Sequence, residues 1–76
     1  MAFDFSKLRG RIKEQFGSEK AFAEAMSMVQ GTLSARLNNK IKFDSEEIVL
    51  AAQLLDIPDE EIGTYFFKPK FEKSNI

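Results

Sequence analysis

The chain has 76 residues, of which 43% are hydrophobic and 30% charged, with a formal net charge of −1 and neither Cys nor His. This length suits one domain that folds by packing alone, because disulfides and the common zinc sites need residues that are absent. No signal peptide is visible and no apolar run approaches the ~18 residues of a membrane span, so we expect a cytoplasmic protein.

The charges are unevenly distributed along the chain. Residues 1–42 hold eight bases and four acids, residues 43–67 hold seven acids and no base, and residues 68–76 hold three bases and one acid. Residues 1–42 are therefore suited to bind a polyanion such as nucleic acid, whereas residues 43–67 would be repelled by it. The alternative is that soluble helices carry mixed charges by chance.

The first predicted helix runs from about Asp4 to Phe16, with Asp4 as its cap and Phe3 stapled onto Leu8. Its apolar face has spacings of three and four residues, at Phe5, Leu8, Ile12 and Phe16. Gly17 suits the C-terminal stop of this helix.

Residues 18–40, SEKAFAEAMSMVQGTLSARLNNK, predict two short amphipathic helices around a tight turn. Ser18 is a good N-cap for the first of them. Small Ala23 lies where the second helix must approach closely. Apolar residues fall where two crossed helices meet, at Phe22, Met26, Met28, Leu33 and Leu37.

A fourth helix has the clearest start signal, with Asp44 as cap, Glu47 three residues later and Phe43 placed to staple onto Ile48. It is apolar around much of its circumference, so we expect it to be the central core helix. Pro58 then sets the first turn of a short fifth helix, whose N-terminal acids favour its dipole.

The last segment, TYFFKPKFEKSNI, is unusually aromatic. Phe66 is expected in the core, which leaves Tyr65, Phe67 and Phe71 as a candidate partner surface. The alternative is that these rings fold back onto the domain. Pro69 excludes a long central strand but allows an edge strand or an extended arm, and residues 68–76 are a candidate extended or flexible tail.

The segments FAEAM, SMV and QGTLSARLNNK resemble the first helix, the turn and the recognition helix of the Cro and phage-repressor helix-turn-helix superfamily, also called XRE-like. The flanks FDFSKLRGRIKEQFGS and LLDIPDEEIGTYFFKPK are similar to those of small Cro-like proteins from phages of Gram-positive bacteria. The resemblance implies an all-α, compact five-helix domain over residues 1–76, with the helix-turn-helix formed by helices two and three.

In that superfamily the start of the recognition helix contacts bases in the major groove. The positions that match the base-reading set here are Gln30, Gly31, Thr32, Ser34 and Ala35. Gln30 is the main candidate, because its amide can pair bidentately with adenine. The expected phosphate contacts on either side are Ser18, Lys20, Arg36, Asn38, Asn39, Lys40 and Lys42.

Three positions predict a weakly stabilised recognition helix. Ser27 stands at the turn position that commonly holds Gly, and it must bear the cost of a left-handed backbone. Val29 stands where Ser or Thr usually caps the helix, at a cost of ~1 kcal/mol. Gly31 inside the helix costs about as much again relative to Ala.

The leading hypothesis is a sequence-specific, DNA-binding transcriptional regulator of the phage Cro-like type in a lysis–lysogeny switch. It would bind a double-stranded operator as a homodimer in the bacterial host, associated with the nucleoid when bound. The alternative is an anti-repressor or co-repressor that binds a phage repressor protein, which the acidic second part and the aromatic residues favour. We expect no enzyme activity, cofactor or metal, because His, Cys and a phosphate-cradling Gly loop are missing.

Overall fold

The computed structural model describes residues 2–70. Its helices are α1 (Ser6–Phe16), α2 (Glu19–Ala25), α3 (Gln30–Leu37), α4 (Ser45–Leu54) and α5 (Ile62–Phe66), with a short 3-10 helix at Asp59–Glu61 before α5. Over residues 2–70 there is no strand, only an isolated antiparallel bridge between Phe3 and Pro69. The prediction of a five-helix, all-α domain is confirmed. Of the predicted tail, residues 68–70 are described, whereas Phe71 and the residues after it lie outside the described residues.

One hydrophobic core joins the helices. Its largest fully buried side chains are Phe22, Phe66, Leu8, Ile12, Leu33 and Leu55. The apolar spacing of the sequence thus placed the inward faces of α1, α2 and α3 correctly. Ala23 is 1% exposed, and α1 and α3 both pack against the helix that carries it. A larger side chain there would hold α2 away from its neighbours.

The helix starts follow local hydrogen bonds. Ser18 Oγ accepts from the Ala21 N–H at 3.1 Å, and Asp44 and Glu47 form the predicted capping box. The first helix begins at Ser6, and the residue at its N-cap is Phe5, without a side-chain cap, which corrects the prediction of an Asp4 cap. The Asp4 carboxylate accepts from the Ser6 N–H at 2.9 Å. Hydrogen bonds from the Ser6 side chain and then from the Ser6 N–H lower the pKa of Asp4.

Three helices end in the same left-handed turn. Ser27, Asn39 and Asp56 follow the last turns of α2, α3 and α4 with φ of 58°, 63° and 56°. In each case the next residue donates its N–H back across the turn, as Met28 does to the Ala23 carbonyl at 2.9 Å. These are Schellman motifs in which a non-glycine residue bears the conformational cost. The prediction for Ser27 is confirmed.

The fourth helix is not the central core helix, which corrects the expectation from its composition. Val49 and Leu50 are 54% and 37% exposed. Successive helical residues lie about 100° apart, so when Ala51, Ala52 and Leu55 face the core, Val49 and Leu50 fall on the outer side. We call the exposed stripe of Glu46, Val49, Leu50 and Gln53 the α4 outer face.

The aromatic residues at the end of the chain divide between core and surface. Phe66 is buried as predicted, and Phe67 is 49% exposed. Tyr65 is only 8% exposed, which corrects its assignment to a partner surface. Helix α5 is one short turn against α1, so two consecutive rings reach the core, and the Lys7 ammonium lies 4.9 Å from the centroid of the Tyr65 ring.

The two ends of the described chain pair with each other. The Asp4 N–H donates to the Lys68 carbonyl at 2.7 Å, and the Lys70 N–H donates to the Ala2 carbonyl at 3.0 Å. Pro69 fits between them because the flanking residues supply both bonds, so its missing N–H is not needed. The edge pairing left open by the sequence therefore occurs as a single bridge.

Glycine substitution at two of the left-handed positions should have opposite effects on stability. Ser27→Gly relieves the backbone cost and should stabilise the fold by about 0.5 kcal/mol, after the extra entropy of the unfolded chain is subtracted. Asn39→Gly should destabilise by about 1–2 kcal/mol, because the Asn39 side chain makes two hydrogen bonds to the Phe3 backbone. Urea denaturation measures the free energy of unfolding of both variants. A change of the same sign in the two variants would contradict these roles of Ser27 and Asn39.

Candidate functional site

Helices α2 and α3 pack together across a short connection, residues 26–29. Leu33 and Leu37 hold α3 to the core. The predicted base-reading residues lie together on α3, with Gln30 and Gly31 exposed and the others half-buried: Thr32, Ser34 and Ala35. This outer surface of α3 is therefore polar and uncharged.

The start of α3 lacks a side-chain cap, as predicted. Val29 has the extended backbone of an N-cap, with φ of −69° and ψ of 145°, but it offers no oxygen to the first amides of the helix. Its side chain is 75% exposed. Packing therefore does not explain a valine at this position.

Arg36, a predicted phosphate contact, is held inside the protein. Its Nε donates to Glu47 Oε1 at 2.7 Å, and the two side chains are only 15% and 17% exposed. The bond raises the pKa of Arg36 and lowers the pKa of Glu47. The same Glu47 oxygen accepts the Asp44 N–H at 3.0 Å. The expectation of a free phosphate-binding cation at position 36 is corrected, because this guanidinium already has a partner.

The two asparagines after α3 are also engaged within the chain. Asn38 accepts from Arg9 at 3.0 Å and donates to Ser34 Oγ at 3.1 Å. Asn39 accepts the Phe3 N–H at 2.8 Å and donates to the Phe3 carbonyl at 2.9 Å. Both amides stabilise the turn after α3, and each uses one of its two N–H groups to do so.

The remaining predicted phosphate contacts divide into two groups. Ser18 uses its hydroxyl oxygen to cap α2. Lys20, Lys40 and Lys42 are exposed, and within residues 2–70 none of the three forms a salt bridge. Exposed lysines thus flank α3, while α3 itself has no unpaired basic side chain.

A second candidate site is an apolar cavity of about 100 Å³ between the N-terminal segment, the loop after α3 and the end of α5. We call it the aromatic pocket. Its lining residues are Phe3, Phe5, Arg36, Asn39, Ile41, Lys42, Phe43, Ile48, Phe66 and Phe67. Ile41 and Phe67 are 52% and 49% exposed at its edge. Small apolar cavities that stay dry bind apolar groups.

The walls of the aromatic pocket are rings in edge-to-face contact. The Phe43 ring lies 5.5 Å from the ring of Phe5 and 5.5 Å from that of Phe66, and the Phe3 ring lies 5.7 Å from that of Phe67. Sequence reasoning identified Phe67 but missed the pocket. The available signal was eight phenylalanines in a short chain, which is more than a small core needs but does not say where they converge.

A family model described as "Protein of unknown function (DUF739)" matches residues 1–69. The chain belongs to this family. Among solved structures, the chain is similar to the solution structure of the modulator of repression (MOR) of the temperate bacteriophage TP901-1 from Lactococcus lactis, with 36% identity and a TM-score of 0.79. The match covers 95% of this chain and 97% of that one.

No curated protein sequence matches the chain significantly. Along residues 2–70, none of the helices combines the length and apolar character needed to cross a bilayer.

Removing the charge of Glu47 should cost stability in a pH-dependent way. Arg36 lowers the pKa of Glu47 below its ordinary value of 4.5. As the pH falls, the Glu47 carboxylate is therefore protonated in the unfolded chain before it is protonated in the folded chain. The stabilisation is therefore complete above that value and is lost as the pH falls through the folded pKa. Glu47→Gln, which can still complete the capping box, should lose about 1–2 kcal/mol at pH 7.

Glu46→Gln is the matched control, because Glu46 is an exposed neighbour at the same helix start. It should change stability by less than about 0.5 kcal/mol. Urea denaturation at pH 7 and near pH 3 measures the free energy of unfolding of Glu47→Gln and Glu46→Gln. Equal losses for both variants, or a Glu47→Gln loss that does not shrink between pH 7 and pH 3, would show that the ion pair does not carry this stability.

Proposed function

We propose that this protein is a phage regulator that acts by binding a repressor protein, and that the aromatic pocket receives an apolar side chain of that partner. The observation that carries the proposal is an open apolar cavity with two exposed hydrophobic residues, Ile41 and Phe67, at its edge. A buried apolar anchor surrounded by partly exposed contacts is the usual centre of a protein–protein interface.

The size of the pocket fits this role. Its volume of about 100 Å³ is of the same order as the ~150 Å³ apolar cavities that bind benzene. Lys42 and Arg36 also line it, and Lys42 makes no salt bridge to any described residue. An apolar side chain beside a carboxylate on the partner would therefore be complementary.

The surface of α3 supports a protein partner over DNA as the main ligand. Affinity for DNA comes largely from cations that neutralise phosphates. The only basic residue of α3, Arg36, is bound to Glu47. We propose that α2 and α3 form a helix-turn-helix unit of Cro type that is retained for its shape, with little phosphate affinity of its own.

The likeness to the modulator of repression adds to this proposal. That relative shares 36% of its residues with this chain over almost the full length of both. As its name says, that protein is a modulator of repression in a temperate bacteriophage. A regulator that modulates repression acts on the repressor, on the operator, or on both, and the aromatic pocket favours the first.

The test is the affinity for the purified repressor of the phage that encodes this chain, measured by calorimetry. Ile41→Ser should weaken binding about tenfold, and Ile41→Ser with Phe67→Ser more strongly, because both remove apolar contacts at the pocket edge. Val29→Ala is the control, since Val29 is 75% exposed and does not line the pocket. Wild-type affinity in the pocket variants, or an equal loss in the control, would contradict the proposal.

Direct operator binding is the second candidate. It is favoured by the exposed amide of Gln30 at the start of α3 and by the exposed lysines Lys20, Lys40 and Lys42. Gln30 would read adenine, and two copies would place their α3 helices about 34 Å apart on a pseudo-palindromic site. Without a cation on α3, this binding would depend on the flanking lysines and on pairing of two chains.

A further inference from the structure

The α4 outer face carries two neighbouring exposed hydrophobic residues that the proposed function leaves unused. Val49 is 54% exposed and Leu50 37% exposed, at the centre of a stripe whose members are three or four residues apart. Ile48, one residue earlier, lines the aromatic pocket instead. The two surfaces therefore lie on different sides of α4 and can be occupied together.

Two shallow grooves meet at this stripe. One has a volume of about 340 Å³ and runs along Glu46, Val49 and Leu50. The other, of about 440 Å³, runs between Val49 and the segment that follows α4, past Asp56 and Asp59. Val49 and Gln53 line both grooves, so the grooves are neighbours on either side of this part of α4. We call the two grooves together the trough; Val49 lies at its centre, with Glu46, Asp56 and Asp59 along its sides.

The charge around the trough is of one sign. Residues 43–67 contain seven acids and no base, and no salt bridge among residues 2–70 uses Glu46, Asp56 or Asp59. Arg11 reaches the end of α4, but its guanidinium donates to the backbone carbonyls of Leu55 and Asp56 and to the Glu14 carboxylate. The carboxylates of Glu46, Asp56 and Asp59 are exposed and are available to the cations of a partner.

We infer that the α4 outer face docks a basic amphipathic helix of another protein. Apolar residues of that helix, spaced by three and four, would contact Val49 and Leu50, while its Lys or Arg side chains would reach Glu46, Asp56 and Asp59. Charge complementarity selects this occupant, since an acidic helix or nucleic acid would be repelled. This surface does not depend on the aromatic pocket, and either site can be right without the other.

The test uses the full chain and a fluorescein-labelled peptide of about 14 residues built from Leu and Lys, with Leu at helical spacings. A peptide of the same composition, scrambled so that no face is apolar, controls for charge alone. Fluorescence anisotropy should show the helical peptide binding at least about tenfold more tightly than the scrambled one. Val49→Lys should remove this preference, whereas Val29→Lys, which adds the same charge outside both grooves, should keep it.

Several outcomes would overturn the inference. They are equal binding of the two peptides, equal effects of Val49→Lys and Val29→Lys, the absence of binding, and NMR shift changes that map to the aromatic pocket instead of α4. If sedimentation shows that the chain alone forms a dimer that Val49→Lys dissociates, then the occupant is a second copy of this chain and the inference is wrong. Thermal melting of both lysine variants shows whether they remain folded.

Discussion

The ion pair between Arg36 and Glu47 is the contact on which the rest of the molecule depends. One carboxylate oxygen accepts from the Arg36 guanidinium at 2.7 Å and from the Asp44 N–H at 3.0 Å, so a single side chain caps α4 and ties α3 to it. The bond thereby holds the loop between α3 and α4 in place, and this loop carries Ile41 and Phe43. The aromatic pocket is built on that loop, and its shape is set by a polar bond at its margin.

The same bond decides what α3 can present to a partner. The bond to Glu47 offsets the positive charge of the Arg36 guanidinium, so α3 contributes less to neutralising a phosphate than an unpaired arginine would. The outer surface of α3 is therefore uncharged, and the lysines beside it are exposed. The acids of the second half of the chain are divided: Asp44, Glu46 and Glu47 line a cavity with Thr32 at the start of α3, and Asp56 and Asp59 line the groove after α4. The protein therefore presents three surfaces of different chemistry. The outer surface of α3 is polar and uncharged, the aromatic pocket is apolar, and the α4 outer face has an apolar centre beside acidic residues.

Local signals in the sequence predicted local structure well. The capping box at Asp44, the Ser18 cap and the left-handed Ser27 each depend on hydrogen bonds within a few residues, so the residue types alone indicate them. Periodicity also gave the buried faces of α1 to α3. Tyr65 and the outer residues of α4 were misplaced, because composition says that a segment is apolar but not which of its sides the other helices cover.

The candidate sites were harder to predict because they depend on distant pairs. Asn39 holds the backbone of Phe3 across 36 positions, and Phe3, Phe43 and Phe67 converge from three separate segments. No spacing rule connects such residues. Arg36 appeared to be a phosphate contact because its partner, Glu47, belongs to another helix.

The deciding measurement is an electrophoretic mobility shift assay with operator DNA at physiological salt, run with the chain alone and with the cognate repressor present. We predict that the chain alone does not shift the DNA and that it changes the repressor–operator complex when both proteins are present. A sequence-specific shift by the chain alone, weakened in specificity by Gln30→Ala, would contradict this prediction.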